Sequence, residues 1–200
     1  LLIFSGCTLT PKTYFYTLTG ITSSEQHIAM SGQHTYGVGP IFLPEALMQP
    51  GIVTVREGQR VNLSLYNIWA GNLNEAITRV TASNISQITG IDAVWPFPWD
   101  NRSRPTRQIR IVIEQLTGEL GGEVVLKAKW ALTEQNGETV LLQKRFVMAE
   151  TTRAKDYGAY VDTINTLVNQ LSVAMVEAIA ELNGKDAIDK SRRSLSPANH

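Results

Sequence analysis

This chain of 200 residues has one cysteine, three histidines and no excess charge, with 18 basic residues against 18 acidic ones. Each shortage excludes something. A single thiol cannot close a disulfide within the chain or build a cysteine-based zinc site. Zero net charge argues against nucleic-acid binding, whose affinity comes mainly from neutralising phosphates. No apolar run after residue 7 approaches the ~20 residues of a membrane-spanning helix. Nucleophilic catalysis needs a base beside its nucleophile. Here His27 falls in a loop, His34 at a strand edge and His200 at the terminus. There is no Gly-x-Ser-x-Gly elbow, no His-Glu-x-x-His helix and no calcium loop. The run Gly37-Val38-Gly39-Pro40 lacks the third glycine of a dinucleotide turn, and Pro40 stands where the helix would begin. No catalytic residue, metal or cofactor is therefore expected.

What is present starts with that one cysteine. Cys7 follows Leu1-Leu2-Ile3-Phe4-Ser5-Gly6, an apolar stretch closing on small residues. The pattern reads as the end of a bacterial lipoprotein signal, with cleavage before an acylated cysteine. On this reading residues 1–6 are residual signal peptide and 7–13, polar and containing Pro11, a lipidated tether. The competing reading is a buried strand over 1–8 with Cys7 as a small core hydrophobe.

With 43% hydrophobic residues the remainder can bury one core, so a single domain over 14–183 is expected. Strand patterns fall at 14–18, 34–42, 52–56, 61–66, 91–95, 108–116, 123–132 and 139–148. Asn136-Gly137 is the strongest hairpin signal. A helical stripe begins at Trp69, runs through Leu73, Ile77, Val80 and Ile85, and ends at Gly90; polar Asn84 interrupts it. A longer stripe at three- and four-residue spacing runs from Tyr160 to Leu182 within a helix over 156–182 that Asn183-Gly184 should end. Residues 184–200 have few apolar side chains and read as a disordered tail. The expected fold is α/β: a mixed, largely antiparallel sheet packed by two long amphipathic helices.

One segment carries a candidate contact surface. Trp95-Pro96-Phe97-Pro98-Trp99 is followed by Arg102, Arg104, Arg107 and Arg110. Rings beside guanidinium groups suit lipid headgroups or an acidic partner. The structural alternative is that the tryptophans cover one end of the core while the arginines form a solvated loop.

Several segments, in order, resemble a known family. They are Cys7, Tyr14-Phe15-Tyr16-Thr17-Leu18, Gly37 to Pro44, Ile52-Val53-Thr54, Asn67 to Leu73, Gly121-Gly122, Lys129-Trp130-Ala131-Leu132 and Lys155-Asp156-Tyr157. Together, over roughly residues 7 to 182, they resemble the ABC-type transport auxiliary lipoproteins, the group of the paraquat-inducible lipoproteins. The resemblance implies a lipoprotein of a Gram-negative outer membrane, facing the periplasm and anchored through Cys7. It implies partnership with an MCE-domain transport protein in envelope lipid transport. Thr8 fits outer-membrane sorting, where Asp would signal inner-membrane retention. Phospholipid contact and a homo-oligomeric collar on a ring-shaped partner follow by analogy. The alternative is a periplasmic lipid- or amphiphile-binding protein with an apolar pocket between helices and sheet.

Overall fold

Three consecutive long strands with apolar residues at every second position build the main sheet. A computed structural model describes residues 11–22, 27–30, 34–56, 60–100, 102, 104–135 and 137–194, with side chains through Lys185. In chain order its strands are β1 (Tyr14–Tyr16), β2 (Tyr36–Phe42), β3 (Gly51–Arg56), β4 (Arg60–Trp69), β5 (Val94–Pro96), β6 (Arg107–Gly118), β7 (Glu123–Glu134) and β8 (Val140–Thr151). The helices are α1 (Leu73–Thr89) and α2 (Tyr157–Ser194), with a short 3-10 turn at Glu45–Met48. A five-stranded sheet has the order β5-β2-β6-β7-β8, and a three-stranded one the order β1-β4-β3. The β6-β7 and β7-β8 pairs are antiparallel, whereas β2 is parallel to both β5 and β6. The expected mixed, largely antiparallel α/β fold is what the chain adopts.

Both helices lie on one face of the larger sheet, α1 over β2 and β5 and α2 over β7 and β8, and they also pack on each other. Ile109, Ile111 and Ile113 of β6 and Leu126, Ala128, Trp130 and Leu132 of β7 point under them and are buried. Intervening positions such as Arg110, Val112, Glu114 and Lys129 face solvent. This is the alternation of an antiparallel sheet with one wet face. On that face the Lys129 ammonium lies 2.5 Å from the Glu114 carboxylate, with Arg145 3.5 Å away. Lys129, chiefly through its hydrogen bond, holds the exposed Glu114 carboxyl below its ordinary range.

Helix α1 starts later than its stripe predicts. Trp69 belongs to β4, where its N–H donates to the Pro50 carbonyl and that of Ala70 to Tyr16. The chain is thus held extended until Asn72, whose backbone caps the helix. Gly90 ends it as expected, in the left-handed conformation (φ 69°) with its N–H donating to the Ser86 carbonyl. Helix α2 overruns the expected stop at Asn183-Gly184 and continues to Ser194, so residues 184–194 of the expected disordered tail continue the helix. A glycine inside a helix costs about 1 kcal/mol. Here the buried Asn183 amide donates to the Tyr36 hydroxyl, and Lys185 pairs with Glu181 one turn back. Residues 195–200 lie outside the described residues, as do residues 1–10, which include Cys7.

Two hydroxyl and amide groups in the interior tie the parts together. Tyr160 of α2 donates to the Val53 carbonyl of β3 and accepts from the Gly118 N–H at the end of β6, both at 3.0 Å. The small sheet is thereby attached at the N-terminal end of α2. Asn183, near its other end, meets β2 at Tyr36. The 23 helical steps from one to the other span about 35 Å at 1.5 Å per residue. The small sheet and the start of β2 therefore lie at opposite ends of the body.

Candidate functional site

β5 and β6 flank β2 and all three run parallel, so the chain leaving β5 must cross β2 to enter β6. It does so with the Trp-Pro segment, and two glycines make room. A Cβ on Gly37 would lie 2.8 Å from the Trp99 ring and nearer still to the Pro105 ring. At Gly39, whose φ of 117° suits glycine, a Cβ would lie 2.6 Å from that of Phe97. The Gly37-Val38-Gly39 run is thus a strand that lets another segment lie flat across it. Phe97 and Trp99 meet edge to face with centroids 5.2 Å apart. We expect Gly37→Val to lift Trp99 and Pro105 off β2, at about 1–3 kcal/mol of overpacking. The readout is a tryptophan emission red shift that disappears in a Trp99→Phe background; an unshifted spectrum would contradict this packing.

The segment does not cap the core. Trp69 and Trp130 are buried, whereas Trp95 is 41% exposed, Phe97 is similarly open and Trp99 is half-buried. Arg102 and Arg104 are exposed, and Arg107 is half-buried at the start of β6. Arg107 places Nη2 3.4 Å from the His34 ring, and its buried Nη1 has no hydrogen-bond partner among the described residues. Backbone register sets Arg107 opposite Glu134 and beside Tyr36. Rings and guanidinium groups therefore gather at the end of the body that carries Asn183. Of the anticipated residues, register and packing place Trp95, Trp99 and Arg107 about the start of β2, and Arg102 and Arg104 are exposed on the loop between them.

A second surface escaped the sequence pattern. In β4 the apolar members of the alternation, Val61, Leu63 and Leu65, are 62%, 44% and 77% exposed, whereas Asn62 and Ser64 are half-buried. Tyr66 and, on β1, Phe15 extend the exposed strip; Tyr14 is also exposed but by register shares the opposite face, that of Asn67 and Trp69. The pairing explains its form. Val53 faces Leu63 but Gly51 faces Ile68, so β4 advances five residues while β3 advances two. The surplus bulges outward, carrying Leu65 and Tyr66. Ser64 Oγ accepts from the Asn67 N–H and amide, and Tyr16 donates its hydroxyl to the Asn67 carbonyl oxygen, bracing the bulge. The only hint in the sequence is a strand whose apolar face has a third, equally apolar neighbour to cover.

The best-formed clefts among the described residues are open surface grooves. One of about 450 Å³ lies beside the start of α2, lined by Glu150, Arg153, Asp156 and Asp162 among others. Between helices and sheet, by contrast, Ile77, Ile85, Ile111, Leu126, Leu167 and Leu171 are fully buried against one another. Among the described residues no group of three acidic, histidine or cysteine side chains is placed to hold a metal ion, and no helix is long and apolar enough to cross a membrane.

The structure is thus a single mixed α/β domain with an aromatic-basic segment at one end and exposed apolar side chains at the other. A family model described as the ABC-type transport auxiliary lipoprotein component matches residues 16–176, and the chain belongs to that family. It is accordingly a transport-associated lipoprotein, and its family is not one of enzymes. No curated protein sequence matches it. Among solved structures, protein XCC0632 from Xanthomonas campestris, of the DUF330 family, is similar with a TM-score of 0.72 and 12% identity, over 87% of this chain and 99% of its own. The crystal structure of an uncharacterized protein is similar with a TM-score of 0.65 and 17% identity, over 84% and 99% respectively. These two likenesses show the shared fold.

Proposed function

We propose that this protein is an outer-membrane-anchored lipoprotein on the periplasmic side of a Gram-negative envelope, serving an MCE-type lipid-transport system. Membership of the transport auxiliary lipoprotein family over residues 16–176 carries the reading. The lone cysteine behind an apolar run supplies the anchor, and Thr8 the outer-membrane address. On this reading residues 1–6 are removed, 7–13 form the tether and 14–183 the working body. One acyl chain holds a protein only marginally, so a multiply acylated Cys7 is what makes the attachment firm. The role is non-enzymatic: the body docks to the periplasm-spanning MCE protein and supports membrane integrity.

Trp95, Trp99, Arg102, Arg104 and Arg107 form the contact for that partner or its phospholipid cargo, lying at the end of the body farthest from the tethered sheet. A homo-oligomeric collar around a ring-shaped partner fits the same role. The filled helix–sheet interface favours docking over an amphiphile carrier with its own apolar pocket.

Replacing Cys7 with Ser tests the anchor. Intact-mass analysis in a Gram-negative host should show a wild-type chain beginning at an acylated Cys7, and fractionation should find the folded variant released from membranes. A wild-type chain that keeps residues 1–6 and carries no lipid would refute it. Co-purification of the wild-type protein with an MCE protein tests the docking half, and its absence after crosslinking in cells would count against that half.

A further inference from the structure

The β1-β4 strip leaves the most exposed apolar side chains of the body, Leu65 and Phe15, on a braced bulge and its neighbouring strand. We propose that this strip rests on the surface of the bilayer that holds the anchor, so that the body is oriented as well as attached. The inference rests on the lipoprotein reading above.

Chain length supports the occupant. Tyr14 is seven residues on from Cys7, a reach of at most about 25 Å even when fully extended. The body itself is longer than this between Tyr160 and Asn183, so the anchor cannot present both ends to the membrane equally. The end it holds close is the small sheet, because β1 begins where the tether ends. Register places Tyr14 beside Asn67, which sets Leu65 and Tyr66 next to the incoming chain.

The chemistry of the strip suits a phospholipid surface. Tyr66 has an apolar body and a polar tip, the pattern favoured at membrane–water interfaces. Arg56 and Arg60 border the groove at Val61, and the Lys12 ammonium lies 5.3 Å from the centre of the Tyr14 ring at the edge of β1. Cations around an apolar centre meet phosphate headgroups around acyl chains. Acidic groups stand nearby as well: Asp156 and Glu75 near Tyr16, and Glu119 beside Arg56. Burial of this strip would turn the Trp95-Arg107 end, about 35 Å away along α2, toward the periplasm. The strip sets orientation and does not replace the acyl anchor.

The test uses the full acylated protein in vesicles of phosphatidylethanolamine and phosphatidylglycerol. Cys7 is blocked by its lipid, so Leu65→Cys and Lys185→Cys each offer one free thiol for a nitroxide label. Both sites are highly exposed, which keeps the fold intact. The label at 65 should collide preferentially with oxygen dissolved in the bilayer, several-fold over an aqueous nickel complex, and the label at 185 should show the reverse. Acylated protein with label 65 fully open to the nickel complex overturns the proposal and leaves the lipoprotein reading standing. Label 65 shielded from both relaxants, with dipolar broadening between molecules, overturns it in favour of a self-association surface. Absence of acyl mass on Cys7 overturns both readings.

Discussion

Asn84→Ala is expected to lower the unfolding free energy by about 3 kcal/mol, because it removes three hydrogen bonds made by a fully buried side chain, each worth roughly 1 kcal/mol. Asn84 is fully buried on α1, in the middle of the apolar stripe it interrupts. Its amide donates to the Asn169 carbonyl oxygen at 2.8 Å and to the Ser172 hydroxyl at 3.1 Å, both on α2. Its own carbonyl oxygen accepts the Ile21 N–H at 2.8 Å, which ties the segment after β1 to the helix pair. Asn165 accepts the Thr19 N–H two residues earlier, so two α1 and α2 asparagines hold that segment. Removing Asn84 leaves the half-buried Ile21 N–H and Asn169 side chain each short of a partner, while the buried Ser172 hydroxyl keeps its bond to the Val168 carbonyl. At roughly 2–4 °C per kcal/mol for a domain of this size, the melting temperature should fall by about 6–12 °C. Urea unfolding of both proteins checks it. A loss under about 1 kcal/mol would mean that water replaces the amide without cost and that the cluster is not a determinant of helix pairing.

The second large effect concerns Tyr160, and it depends on pH. Tyr160→Phe keeps the ring but leaves the Val53 carbonyl and the Gly118 N–H without the hydroxyl, at about 2–4 kcal/mol for two buried backbone groups. Burial pushes the Tyr160 hydroxyl up to about 12, and the Gly118 hydrogen bond only partly offsets that. The neutral hydroxyl is the form that folding favours. Its contribution is complete below about pH 10, where the unfolded tyrosine is also neutral, and is lost as pH rises from 10 through 12. At pH 11 the wild type should have lost about 1.4 kcal/mol through this group alone. The phenylalanine variant lacks this part of the alkaline limb, so the gap between the two proteins narrows from pH 9 to pH 11. A gap that stays constant would show that Tyr160 does not titrate differently on unfolding.

Much of the architecture was legible because burial imposes a period. In β6 and β7 every second residue enters the core, and in α2 the stripe from Tyr160 to Ile179 does the same at helical spacing. These patterns are local consequences of geometry. Gly90 was legible for a similar reason, since the left-handed turn it makes favours glycine. Errors arose where distant partners decide a local question. Trp69 reads as helical until the Pro50 carbonyl and the β1 pairing hold it in a strand. Gly184 reads as a stop until Asn183 finds the Tyr36 hydroxyl 147 residues away.

The contact surfaces divide in the same way. Tryptophans and arginines at 95–107 drew notice by their chemistry alone, and packing sets Trp95, Trp99 and Arg107 about the start of β2. Their exposure was undecided until the crossing over Gly37 and Gly39 placed Trp95 and Phe97 outside the core. The strip on β1 and β4 carried no such signal. Val61, Leu63 and Leu65 alternate with polar residues as core residues do, and alternation states which residues share a face without stating which face is covered.

The sequence by itself therefore determined the α/β class, the order of elements, the periodic core and the family, because each of these is written in short-range pattern or in residue identity. Only the tertiary structure decided which apolar face stays open, how the chain crosses β2, and that the two surfaces lie at opposite ends of the Tyr160–Asn183 stretch of α2. Those are matters of which elements meet, and nothing local fixes them.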